Sequence, residues 1–262
     1  MKHKLSYIHP KAKLADDVKV EQFATIAENV EIGEGTWVGP NAVIMDGSRI
    51  GKNCLIFPGA IIGAIPQDLK FAGEETTVEI GNNTTVREYV TINRGTKAKG
   101  ATIIGDNCLL QSYSHVAHDC NMKNGCILGS YAGLAGEVEV DDYAIVSPGS
   151  LVHQFVRIGC HVFIQGSSKV GKDVPPYVLA GRDPLMYSGI NSVGLRRKKF
   201  NNDTIYEIQE IYRIIYQRGL NISDALSFIE TNLPATNERD EIIIFIKESK
   251  RGIIKGYFDE DK

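Results

Sequence analysis

The sequence predicts a mainly β solenoid of short stacked strands with a helical tail, and three observations carry that expectation. Every sixth residue from Ile8 to Val170 is aliphatic, with Asp68, Glu74 and Ala98 as the exceptions. The slot two residues earlier is mostly small or β-branched, as at Ala24, Thr36, Ala60, Ser114 and Ala132. The rhythm stops at Val174-Pro175-Pro176-Tyr177, where two prolines end a strand pattern. A period of six fits neither an amphipathic helix nor a half-buried alternating strand. It fits short strands joined by tight turns, in which the glycines after Ile32, Ile50 and Ile104 supply positive φ. One such coil cannot bury its own apolar stripe, so the coils must stack on one another.

This pattern resembles the hexapeptide-repeat acyltransferases, whose fold is a left-handed parallel β-helix with three hexads to a coil. The left hand comes from that resemblance, since crossover chirality alone favours the right. Roughly nine coils then fill a β-helix domain over residues 1–182, and residues 183–262 form a C-terminal α-helical domain. Cys54, Cys108, Cys120 and Cys126 occupy the small inward slot and read as core filler. A first excursion, residues 63–78, puts the charge of Gln67-Asp68-Leu69-Lys70 on the repeat phase. A second, residues 97–102, is short, basic and glycine-flanked. Such loops either wander in solvent or reach a neighbour. In the tail, Asp203 is expected to cap a helix reaching Gln217, and Ser223 a second one broken before Pro234. A third should span Glu238 to Lys250, stopped by Gly252.

Composition narrows the function classes. The chain has 262 residues, and 29 basic against 32 acidic side chains give a net charge of −3, which offers no footprint for nucleic acid. The start lacks the apolar core of a signal peptide, and no apolar run approaches the roughly 18–20 residues of a membrane span. The five cysteines show no CxxC spacing, against both a disulfide framework and a zinc finger. A cytoplasmic protein with no membrane span is expected.

The candidate chemistry gathers around Ser114-His115-Val116-Ala117-His118-Asp119-Cys120. With three hexads to a coil, Gly136 stands one coil above His118 and Gln154 two coils above, while Glu137 stands above Asp119. Coils about 4.8 Å apart bring His115, His118, Asp119, Gly136, Glu137, His153 and Gln154 into one patch. A histidine beside an orienting acid suits general-base catalysis, because imidazole titrates near neutrality. Any one of these residues alone reads as decoration of a solenoid face; the cluster reads as a site. A zinc site of the γ-carbonic-anhydrase kind is the metal alternative, but His115-Val116-Ala117-His118 has the wrong internal spacing. No metal is expected.

Here the resemblance becomes specific. Gln67-Asp68-Leu69-Lys70, His115-Val116-Ala117-His118-Asp119-Cys120, Leu134-Ala135-Gly136, Val152-His153-Gln154-Phe155 and Asp173-Val174-Pro175-Pro176-Tyr177-Val178 form an ordered set. Over essentially the whole length it resembles the UDP-N-acetylglucosamine 3-O-acyltransferases of lipid A synthesis. The resemblance implies transfer of a 3-hydroxyacyl chain from acyl carrier protein to the sugar 3-hydroxyl, without a cofactor, by a homotrimer with active sites between subunits. It implies that His118 is the general base, that the Gly136 N–H stabilises the oxyanion, and that Asp119 orients the His118 region. No acyl-enzyme is needed, so the cysteines stay bystanders. Asp68, Lys70, His115, His153, Gln154, Asn191 and Arg197 would contact substrates. Gly166 would act as acyl-chain ruler and leave room for a long chain, with Phe163 and Gln165 shaping the groove beside it. Arg196-Arg197-Lys198-Lys199 is the densest cation run; it is either a solvated surface or, through Arg196, Lys198 and Lys199, a dock for the acidic carrier.

The chain departs from the family at Glu137 and Asn93, where histidine is often seen, and at Val193, where glutamate is usual. These departures bear on nucleotide and acyl contacts more than on the chemistry. A sister class of N-acyltransferases on UDP-amino sugars shares the β-helix but usually adds an N-terminal uridine-binding domain; hexads beginning at Ile8 leave it no room.

Overall fold

The computed structural model describes residues 2–256; the last stretch of the expected tail domain, 257–262, lies outside the described residues. The hexads wind into a left-handed parallel β-helix walled by three sheets, with nine, eight and eleven strands among the described residues. The sheets begin at Tyr7–Ile8, Lys13–Leu14 and Lys19–Val20, and the chain visits them in turn, one strand and one corner per hexad. The aliphatic residue of each hexad points inward, so Ile26, Ile44, Ile62, Ile92 and Val116 stack as one buried column in the first sheet. Removing this stripe from water is the main force holding the coils together. All five cysteines, Cys160 included, are buried and unpaired.

The expected use of glycine is corrected by the structure. Gly33, Gly51 and Gly105 are not left-handed. A Cβ at Gly33 would stand 2.8 Å from the Gly51 carbonyl carbon, so these glycines permit close approach of one coil to the next. The left-handed corners fall on other residues, among them Asn53, Asn107, Tyr89, Tyr113 and Tyr131. Asparagine tolerates this region because its short side chain bonds locally.

The inward column passes through both excursions, with one register shift where Ile62 and Ala64 meet Ile92 and Asn93. Ile62 pairs with Ile92, and Ile92 with Val116, where the other coils pair at one coil length. The excursions therefore lengthen two successive coils by whole hexads. Both leave the β-helix at the corner between the first and second sheets, after Ala64 and after Asn93, and rejoin it at Thr77 and Ala101, so the second runs over 94–100.

The third sheet continues past residue 182, through Val178–Gly181, the antiparallel Met186–Ile190, and Lys255–Gly256. Among the described residues four helices follow the β-helix: α1 (Ser192–Arg197), α2 (Asn202–Gln217), α3 (Ile222–Asn232) and α4 (Asn237–Lys247). Asn201 and Asn221 cap α2 and α3, accepting from the N–H groups of Thr204 and Asp224, so the expected caps Asp203 and Ser223 lie inside the first turns. Helix α4 ends at Lys247, short of the expected Lys250. The tail is pinned to the β-helix by polar contacts as well as apolar ones. Tyr212 Oη donates to Pro176 O at 2.6 Å, Tyr177 Oη donates to Glu241, and the Tyr187, Tyr212 and Tyr216 rings stack.

Candidate active site

The corner from which the two excursions leave carries, in the coils above them, His118, Gly136 and Gln154. Ladder bonds fix this column: the Glu137 N–H donates to His118 O at 3.0 Å and the Phe155 N–H to Gly136 O at 3.2 Å. A cavity of about 550 Å³ opens beside it, lined by Asp68, Lys70, Asn93, His115, His118 and Gln154 among others. The first excursion folds back over this space. The Asn93 side-chain amide donates to Ile65 O at 3.0 Å, and the Arg94 guanidinium lies over the Phe71 ring. Within the excursion, Asp68 Oδ1 accepts the Lys70 N–H at 3.0 Å.

His118 is the one imidazole of the site paired with an acid. Its Nδ1 lies 2.8 Å from Asp119 Oδ2, and the Asp119 carboxylate is wholly buried. A carboxylate accepts only, so Nδ1 carries a proton, and in the neutral ring Nε2 holds the lone pair that faces the cavity. Burial disfavours the Asp119 charge. Hydrogen bonds from the Thr96 hydroxyl, His118 and the Thr96 N–H outweigh burial and hold the carboxyl below its ordinary range. Nε2 and Cε1 lie over Gly136, where a Cβ would come within 2.6 Å of both. The Gly136 N–H donates to no other group among the described residues. His115 differs: its Nδ1 meets Thr91 Oγ1 at 2.7 Å, and burial depresses its pKa, keeping the ring neutral.

The cavity thus joins Asp68, Lys70, His115, His118, Gly136 and Gln154, with Asp119 directly behind the imidazole. Other candidates stand apart from it. His153 is exposed, with Nδ1 against Gln154 O. Glu137 lines a neighbouring groove with Lys99, Phe155 and Arg251. Asn191 is buried as the N-cap of α1, accepting from the Gly194 N–H and donating to His161 O at 2.9 Å. Arg197 ends that helix, and Lys198 places its ammonium 3.7 Å from the centre of the Tyr143 ring, while Arg196 and Lys199 are exposed. Phe163 pairs with Ile145 and Leu179 on the third sheet, and Gln165 and Gly166 lie at the corner that follows. None of these lines the His118 cavity in the single chain. A larger groove of about 770 Å³ on the second sheet is lined by Lys13, Glu31 and Arg49, which pair with one another, and it holds no candidate base.

Two residues of the site escape the motifs. Gly133 pairs with His115 one coil up, and its missing side chain opens the cavity beside that ring; reading outward slots coil by coil finds it. Thr96 holds Asp119 from the second excursion, and no periodicity marks it.

Comparison with known proteins identifies the family. The family described as UDP-N-acetylglucosamine O-acyltransferase, domain 2, matches residues 173–254, and the bacterial transferase hexapeptide repeat matches residues 101–136. The GMPPB C-terminal domain matches residues 3–103. An acyl-(acyl-carrier-protein)–UDP-N-acetylglucosamine O-acyltransferase of Stenotrophomonas maltophilia is 44% identical over 255 residues, 97% of each chain. Among solved structures, a UDP-N-acetylglucosamine acyltransferase from Bacteroides fragilis superposes with a TM-score of 0.96 at 55% identity, covering 97% of this chain and 100% of that one. Another, from Francisella novicida, gives 0.94 at 38% identity, covering 97% and 94%. With such identity sustained over nearly its full length, the chain belongs to the UDP-N-acetylglucosamine O-acyltransferase family.

Proposed function

We propose that this chain moves a 3-hydroxyacyl group from the thioester of acyl carrier protein to the 3-hydroxyl of UDP-N-acetylglucosamine, opening lipid A synthesis, with His118 as general base. The observation that carries the reading is the His118 ring itself: Nδ1 held by a buried carboxylate, Nε2 directed to a cavity, and a glycine turn opposite. Nε2 takes the proton of the sugar hydroxyl as its oxygen attacks the thioester carbon. The tetrahedral oxyanion accepts from the Gly136 N–H. Collapse breaks the carbon–sulfur bond, and the imidazolium returns its proton to the departing thiolate. No cofactor or metal enters this scheme, and no thiol is acylated; Cys120 is buried, with its pKa pushed up to about 12.

Asp68, Lys70, His115 and Gln154 contact the two substrates in the cavity, with His153 at its margin. The site is shared between copies of a homotrimer in the cytoplasm, so that Asn191 and Arg197 reach it from a neighbour. Gly166, with Phe163 and Gln165, limits the acyl chain, and Arg196, Lys198 and Lys199 receive the acidic carrier.

The test is acyl transfer from a panel of 3-hydroxyacyl carrier proteins to UDP-N-acetylglucosamine, comparing wild type with His118→Ala. Transfer by wild type is expected, with a loss of at least roughly a hundredfold in the variant. Activity retained in His118→Ala would sink the mechanism. Transfer only to an amine at the sugar's 3-position would replace the acceptor.

A further inference from the structure

We infer that Thr96, on the second excursion, is a positioning residue for the base: it fixes the Asp119 carboxylate and shares with His118 the oxygen that orients the imidazole. The inference rests on the reading of His118 as base and adds the group that holds the base's partner in place.

Thr96 grips Asp119 with two donors. Its N–H donates to Oδ1 at 2.9 Å and its hydroxyl to Oδ2 at 2.6 Å. Oδ2 is the same oxygen that accepts from His118 Nδ1 at 2.8 Å. Both Thr96 and Asp119 are buried, so bulk water does not substitute for a lost donor, and charged hydrogen bonds in such a setting are strong. The strand that follows the excursion, Ala101–Ile104, joins in, because Thr102 Oγ1 accepts the Asp119 N–H at 2.8 Å. The near end is tied to the first excursion: Thr76 Oγ1 donates to Gly95 O at 2.5 Å and Glu74 Oε1 accepts the Lys97 N–H at 3.2 Å. One run of bonds therefore links the loop that brings Asp68 and Lys70 to the cavity with the orientation of the imidazole.

A threonine that only satisfied a buried carboxylate would matter for folding alone. The shared Oδ2 makes a different demand. With the hydroxyl gone, the negative charge on Oδ2 falls undivided on the imidazole, which favours imidazolium over the neutral base. The other charged or titratable groups lining the cavity with the ring are His115 on the strand before it and Asp68 and Lys70 across the cavity; none of them is hydrogen-bonded to it.

The experiment compares wild type, His118→Ala, Thr96→Val and Thr96→Ser in kcat, KM and the pH dependence of kcat, with circular dichroism as the folding check. Thr96→Val is expected to lower kcat about tenfold, to leave KM nearly unchanged, and to move the acid limb of the pH profile upward. Thr96→Ser keeps both donors and should behave as wild type. Wild-type kcat and pH profile in Thr96→Val would overturn the inference, as would Thr96→Ser as impaired as the valine variant. If Thr96→Val does not fold, Thr96→Ala is read by the same criteria, and unfolding of both would make Thr96 structural only and overturn it. The two readings fail separately: activity retained in His118→Ala sinks the base, whereas loss there with an unaffected Thr96→Val sinks only the role of Thr96.

Discussion

A methyl group added at residue 136 would enter the space of the His118 ring. The added Cβ would lie 2.6 Å from Nε2, closer than real contacts allow, so Gly136→Ala must push the imidazole from its place against Asp119. Misplacement of a reacting group by about 1 Å costs on the order of a hundredfold, and that fall in acyl transfer is expected, with an unchanged thermal midpoint because the ring moves into an open cavity. An activity assay paired with a melting curve checks both. At this scale the sequence was informative wherever the coil length does the work. His118, Gly136 and Gln154 fall into one column because each lies one coil from the next. Glu137 shares that spacing yet lines the neighbouring groove, since its left-handed corner turns the side chain around the edge. Spacing gives height along the solenoid and not direction at a corner. Thr96 was illegible because it reaches Asp119 through a loop whose path no period describes.

The strands were legible element by element, and the helix starts were not. The two-residue strands from Lys19–Val20 to Lys169–Val170 each end on a buried aliphatic residue whose period nothing else produces. The start of α2, by contrast, offers Asn201-Asn202-Asp203-Thr204, a run of residues all suited to capping. Only the fold selects Asn201, whose Oδ1 accepts the Thr204 N–H at 2.8 Å. Asn201→Ala is therefore expected to cost about 1 kcal/mol in urea melts, and Asp203→Ala, which keeps the cap, only a few tenths of that through the lost charge near the helix N-terminus. Equal costs would mean that the helix begins later. Helix α1, at six residues, is too short to leave an apolar stripe in the sequence. The excursions show the same division. Their existence could be read from charge on the repeat phase, but the bonds between them, such as Thr76 to Gly95, could not.

At the scale of the whole molecule, Asn191 and Arg197 lie on α1 and its cap, away from the His118 cavity of their own chain. The proposed homotrimer, with its sites between copies, makes a sharp demand on mixed assemblies. His118→Ala and Arg197→Ala chains should each be inactive as homotrimers, and co-expression should restore roughly a quarter of the sites by random assembly. A mixture as inactive as its parts would place both residues in separate roles or the site within one chain. The described β-helix has a further consequence for how its chemistry is dimensioned. His118, Gly136 and Gln154 occupy consecutive rungs, tied by the bonds from Glu137 to His118 and from Phe155 to Gly136. The interval between rungs is a property of the peptide bond's own ladder, near 4.8 Å, and no side chain sets it. Mutation can empty a rung or crowd it, but it cannot change the gauge. Evolution of such an enzyme toward other acceptors or longer acyl chains is then confined to what hangs on the rungs and to the loops that leave them, while the reach from residue 118 to residue 136 is inherited like the pitch of a thread.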